Sequence, residues 1–184
     1  MKIAIYAGSF DPFTNGHLDI VEKASKLFDN VVIVVAPNSS KEQFMSEVDR
    51  IHEINIAVRE LSNVILCKLP KDTMIVELAE QIEATHLIRG LRNFDDLTYE
   101  QTIYNTNKNI NHNIETIFFM PELNNSMISS SMVRELHKYG RLEVIENYVP
   151  DNIYHFLKNK KNQKTFTPGE IKVTVPTIEF FCGS

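Results

Sequence analysis

At 184 residues with a formal net charge of −5, the chain is long enough for one well-packed domain and too acidic overall for general binding to nucleic acid, which needs a basic surface. A hydrophobic fraction of 43% and a charged fraction of 23% exclude wholesale disorder. The two cysteines, Cys67 and Cys182, make neither a disulfide framework nor a metal-ligand spacing; the apolar stretch before Gly8 is too short for a signal peptide, and no run approaches the ~18 apolar residues of a membrane span. A reduced, cytoplasmic protein without membrane or nucleic-acid partners is therefore expected.

Short apolar runs alternate with segments of helical period, the pattern of a parallel sheet with helices on its faces. The first strand is expected at 2–6, followed by a helix near 15–28. Residues 31–36 have no polar alternation, as in a central strand covered on both sides, and Pro37 stops it. A helix near 46–61 begins with Ser46 as its cap. The third strand falls at 63–68, with a helix near 72–83 starting at Asp72 or Thr73. The fourth is the short 86–88, running into Arg89-Gly90-Leu91-Arg92. A helix near 95–109 and a fifth strand at 115–120 follow. Ile128-Ser129-Ser130-Ser131 opens a helix through about Tyr139, with Gly140 as its stop, and a last helix begins after Pro150 and ends near Lys158. No internal repeat is present.

Five strands joined by right-handed crossovers make an α/β, doubly wound, five-stranded parallel sheet of Rossmann-like type with helices on both faces. Ligands bind such sheets at the carboxyl ends of the strands where the order reverses. The loops after strands one, two, four and five would share that edge. The first, Tyr6 to His17, reads as a phosphate-holding turn: Gly8 and Gly16 admit a close backbone approach, Pro12 stiffens the loop, and Asn15 can cap a helix whose first turn presents His17. Neither a Gly-Lys-Ser/Thr phosphate loop nor a Gly-x-Gly-x-x-Gly after the first strand occurs. Instead His17, Lys41, Arg89 and Arg92, with the hydroxyl and backbone donors of Ser129, Ser130 and Ser131, suit a polyphosphate, each charged hydrogen bond contributing roughly 1.5–3 kcal/mol.

The run Gly-Ser-Phe-Asp-Pro-Phe-Thr-Asn-Gly-His, the later Ile-Arg-Gly-Leu-Arg and Ile-Ser-Ser-Ser-Met-Val-Arg-Glu resemble, in order and spacing, the motifs of the bacterial phosphopantetheine adenylyltransferases of the nucleotidyltransferase superfamily. The resemblance covers residues 1 to about 158. It implies transfer of the adenylyl group of ATP to 4'-phosphopantetheine, giving dephospho-coenzyme A and pyrophosphate in coenzyme A biosynthesis, with no covalent enzyme intermediate. The alternatives are an adenylyltransferase for another phosphate acceptor, such as nicotinate mononucleotide, or a non-catalytic nucleotide-binding regulatory module.

By the same resemblance His17 and Lys41 are the catalytic pair, His17 on the α-phosphate near Thr14, Lys41 on the attacking phosphate. ATP would meet Ser9, Phe10, His17, Arg89, Gly90, Arg92, Glu100 and Ser129 to Ser131. The acceptor would meet Ser9, Lys41, Thr73, Met74, Arg89, Tyr99 and Asn107, its pantetheine arm lying in an apolar pocket near the third and fourth crossovers. Mg²⁺ is implied as a cofactor bound mainly through the ATP phosphates, with no metal site on the protein. A homo-oligomer, a hexamer by resemblance, and coenzyme A as a feedback ligand are implied too. Ala7, Glu42, Lys108, Asn125 and Met127 depart from the family pattern and bear on affinity. A nucleotidyltransferase domain at 1–158 and a C-terminal extension at 159–184 divide the chain, and the apolar residues of 165–182 are expected to dock on the core or a neighbouring subunit.

Overall fold

Uninterrupted Val and Ile runs become strands that need cover on both faces. The computed structural model describes residues 1–37, 42–92 and 94–162. Among them are five strands, β1 (Ile3–Gly8), β2 (Asn30–Val35), β3 (Val64–Lys68), β4 (His86–Gly90) and β5 (Glu115–Phe119), all parallel in the order β3-β2-β1-β4-β5. The chain steps outward from β1 to β3, then returns to lay β4 on the other side of β1. The reversal leaves a crevice above the carboxyl ends of β1 and β4.

The period-two alternation sorts each strand between two cores. Ala4, Tyr6, Val31, Ile33, Val35 and Ile88 point to one face. There they meet Ile20, Val21 and Ala24 of α1 (Asn15–Ser25), Ile54 of α2 (Glu47–Ala57) and Val133 of α5 (Ser130–Lys138). Ile145 of α6 (Leu142–Ile145) and Ile153 and Leu157 of α7 (Asp151–Asn162) complete that layer. Ile5, Val32, Val34 and Leu87 point to the other face, against Val76, Leu78 and Ala79 of α3 (Ile75–Gln81). α4 (Phe94–Ile110) joins β4 to β5. Burial of each such aliphatic side chain contributes about 1.5–3 kcal/mol.

Several boundaries differ from the sequence expectation for local reasons. β1 runs on to Gly8 because Ala7 and Gly8 still pair with Val34 and Val35 of β2. The first helix ends at Ser25, short of 28, as the amides of Leu27 and Phe28 both turn back to the Ala24 carbonyl. α3 starts at Ile75 rather than near Asp72: Asp72 has a left-handed φ of 56°, and the Glu77 carboxylate caps the Met74 amide at 2.7 Å. α7 continues past Lys158 to Asn162, where Lys160 Nζ donates to the Phe44 carbonyl and lies 4.6 Å from the Phe44 ring centre. The 3-10 turn Leu123–Asn125 and the short α6 have no periodicity long enough to read. The docking expected of residues 165–182 lies outside the described residues.

Candidate active site

The turn after β1 is built around rings. A Cβ on Gly8 would lie 2.9 Å from the Phe10 ring, so glycine is what lets Phe10, at a left-handed φ of 47°, fold back under the strand end. Phe10 is buried edge-on against Tyr6, Phe13 and His17, with ring centres 5.2, 5.6 and 5.2 Å away. Thr14, not Asn15, is the N-cap of α1; Asn15 is the first helical residue, and its side-chain amide donates to the Asn147 carbonyl at 3.1 Å. The third helical residue, His17, reaches back as a capping glutamate would: the Thr14 amide donates to His17 Nδ1 at 3.0 Å, and the Thr14 hydroxyl lies 3.0 Å from the same nitrogen.

That contact assigns the tautomer. A backbone N–H only donates, so Nδ1 is the acceptor and Nε2 carries the proton. Burial, and then the Arg92 charge, lower the His17 pKa to about 4, so the ring is neutral at pH 7. Among the described residues Nε2–H has no protein partner, and His17 lines a cavity of about 280 Å³ over β1 and β4. Beneath it, burial raises the Tyr6 pKa well above the usual phenol value, which keeps Tyr6 protonated.

Ser9, Phe10, Arg89, Gly90, Arg92, Glu100 and Ser129 to Ser131 all line the same cavity, so the crossovers bring together residues more than a hundred positions apart. A Cβ on Gly90 would meet Ile20 Cδ1 at 2.6 Å, which is how β4 ends so close to α1. The cations are not equivalent. Arg89 forms a fork with the buried Glu100, Nε to Oε2 at 2.5 Å and Nη2 to Oε1 at 2.6 Å, so much of its charge is already matched. Removing one partner of such a pair costs about 3–5 kcal/mol. Arg92 is exposed at the rim and paired with Asp96 at 2.9 Å, an exchangeable contact.

The serines hold the site together more than they face it. Ser129 is the N-cap of α5, accepting from the Met132 amide, and Ser130 donates its hydroxyl to the Pro12 carbonyl at 2.8 Å, tying α5 to the first turn. What α5 offers the cavity is its first-turn N–H groups and the positive end of its dipole. Sequence reading passed over Arg134, four residues after Ser130 and hence one helical turn on. It lines the cavity, donating Nη1 to the Asp11 carbonyl at 2.6 Å and Nη2 to Ser131 Oγ at 2.9 Å.

A second cavity, of about 260 Å³, opens on the α3 and α4 side of the sheet. Thr73, Met74 and Asn107 line it as expected, among Ile5, Leu69, Ile75, Leu87, Ile88 and Ile103. Arg89 and Ala7 line both cavities, so the Arg89–Glu100 fork stands in the partition. Lys41 and the Tyr99 side chain lie outside the described residues. Of the departures from the family pattern, Asn125 lines the first cavity, whereas Lys108 sits at the far end of α4, bound to Glu115 at 2.5 Å and to the His112 carbonyl at 3.0 Å.

A doubly wound sheet whose switch-point cavity holds an imidazole donor, guanidinium groups and a helix N-terminus defines a nucleotidyltransferase, and residues 5–136 match the cytidylyltransferase-like family. A nicotinic acid mononucleotide adenylyltransferase of Plasmodium falciparum, solved with NaAD, shares the fold at a TM-score of 0.68 and 18% identity, covering 88% of this chain and 96% of its own. Nearer in sequence are the phosphopantetheine adenylyltransferases of Vesicomyosocius okutanii, 42% identical over 159 residues, and Prochlorococcus marinus subsp. pastoris, 43% identical over 159 residues. These matches span 86% of this chain and 98% and 97% of the two relatives. The chain belongs to the phosphopantetheine adenylyltransferase family.

Proposed function

We propose that the cavity over β1 and β4 transfers the adenylyl group of ATP to 4'-phosphopantetheine. An acceptor phosphate oxygen attacks the α-phosphorus, the bond to the β-phosphate breaks, and pyrophosphate leaves with dephospho-coenzyme A as the other product. The observation that carries this reading is the single tautomer of His17, with a neutral ring whose Nε2–H faces a cavity already ringed by Arg92, Arg134 and the start of α5. A neutral donor of this kind stabilises charge developing on the non-bridging α-phosphate oxygens without losing its own proton. Such a displacement asks the protein for alignment and charge stabilisation, which a rigid turn supplies.

In this reading Ser9 and Thr14 flank the α-phosphate, Arg92, Arg134 and the first turn of α5 hold the leaving pyrophosphate, and Lys41 and Arg89 receive the acceptor phosphate. The apolar cavity bearing Thr73, Met74 and Asn107 takes the pantetheine arm, for which its Ile and Leu walls are suited. Glu100 serves by fixing Arg89. Mg²⁺ enters as part of the MgATP substrate. Among the described residues no group of three or more His, Cys, Asp or Glu could hold a metal, and no step is assigned to a protein-bound ion.

The domain division at 158, a homo-oligomer and hexamer, coenzyme A as a feedback ligand and a cytoplasmic location belong to the same reading. Exposed Met120, Leu123 and Met127 support subunit contact, and no described helix is long and apolar enough to cross a membrane. The test is pyrophosphate release from MgATP with 4'-phosphopantetheine, nicotinate mononucleotide or glycerol 3-phosphate offered separately. Release with the first alone is expected. Release with another acceptor and not with the first, or with none, overturns the reading.

A further inference from the structure

Arg50, on α2, lies behind the first turn and takes no part in the site described so far. It is 2% exposed. Its Nη1 donates to the Ser9 carbonyl at 2.5 Å, while Nε and Nη2 find no partner among the described residues. Among the described residues no carboxylate stands within ion-pair distance of it. The buried acids Asp11 and Glu53 make their hydrogen bonds elsewhere: Asp11 accepts from the amides of Phe44 and Met45, both at 2.8 Å, and Glu53 accepts from the Asn152 side chain at 2.6 Å.

Burying an ionised group is unfavourable unless a counter-charge accompanies it. One hydrogen bond to a carbonyl does not require a guanidinium, since a neutral amide would make it. Among the described residues the guanidinium has no carboxylate bonded to it, and one peptide unit away Ser9 lines the first cavity.

We propose that Arg50 is a positioning residue for the polyphosphate: it holds the Ser9 carbonyl from behind, and its charge, bonded to no described carboxylate, acts through the turn on the anion in the cavity. This rests on the reading of that cavity as a triphosphate site. A buried charge is poorly screened by salt and acts at lower effective dielectric than a surface one. Arg50 thus adds to the grip on ATP without touching it, unlike Arg89, whose charge Glu100 answers within the protein.

The test is calorimetric affinity for MgATP, without acceptor, beside adenosine affinity by competition, for the full chain and for R50Q and R50K. R50Q removes the charge and leaves a shorter, neutral N–H donor; it is expected to weaken MgATP about tenfold and leave adenosine unchanged. R50K keeps the charge and should bind MgATP within about threefold of the parent. MgATP affinity unaltered in R50Q, an equal loss for adenosine, or an R50K as weak as R50Q overturns the proposal. A parent chain that binds no MgATP would instead overturn the triphosphate reading. Should R50Q not fold, Arg50→Met is measured against the same outcomes.

Discussion

The two cavities that meet at Arg89 lie on the same sheet edge and are built from opposite chemistry. The first is lined by donors, namely His17 Nε2–H, Arg92, Arg134 and the start of α5; the second by the side chains of Ile5, Leu69, Ile75, Leu87, Ile88 and Ile103. In the proposed reading one takes the charged phosphates and the other the apolar arm. The pleat of β1 produces the contrast, since Tyr6 and Ile5 are neighbours in the chain and floor different chambers. A reaction that moves an adenylyl group from a triphosphate to the phosphate of a long flexible arm needs both kinds of recognition side by side.

That contrast can be broken at either end. His17→Ala removes the donor in the charged cavity; kcat should fall 10²–10³-fold, about 2.7–4 kcal/mol, with ATP affinity within a few fold, measured by steady-state kinetics and calorimetry. An unchanged rate would refute the role of the imidazole. The same ring leaves a pH signature. With its pKa lowered to about 4 in the folded chain and near 6.5 unfolded, the unfolded state binds more protons between those values. The stability that neutral His17 contributes is complete above pH 6.5 and is lost as pH falls through about 4. Denaturant unfolding of the parent against His17→Gln should show a differential loss of no more than about 3 kcal/mol across that window.

In the apolar cavity, Met74→Asp should raise KM for the acceptor roughly tenfold, about 1.4 kcal/mol, because the arm must then desolvate a carboxylate, while KM for ATP stays put. An equal rise for both substrates would mean the chambers are not separate readers. At the far end of α4, Lys108→Ala should change stability by less than about 1 kcal/mol and leave both KM values unaltered, since its ion pair with Glu115 is largely at the surface. A shift in either KM would show that the departure at Lys108 reaches the site.

The sheet was legible because Val31 to Val35 and Ile3 to Ile5 admit no other use than strands covered on both sides, and the glycine-rich turn marks where the first one stops. Ser46 is readable as a cap and the run at Ser129 as a helix start, and both serines are caps, because their side chains meet amides three residues on. What sequence could not give was pairing. Nothing local distinguishes Arg89, locked by an acid eleven positions later, from Arg92, paired at the rim, or says that Ser130 turns to Pro12 rather than to a ligand. Arg134 and Arg50 were hidden for the same reason: each acts through a backbone carbonyl of the first turn, and carbonyls have no sequence signature. The sequence points to Asn15 rather than Thr14 as the cap because the residue that completes the Thr14 cap is a histidine, where a glutamate is the familiar sign.

The hydrogen bond from the Thr14 amide to His17 has a consequence for dynamics. The same N–H both starts α1 and selects the imidazole nitrogen left free to donate, so fraying of the first helical turn and loss of the reactive tautomer are one event. Protection of that single amide against deuterium therefore measures the fraction of molecules armed for transfer, and a ligand that draws His17 into place should slow its exchange ahead of any other in the turn.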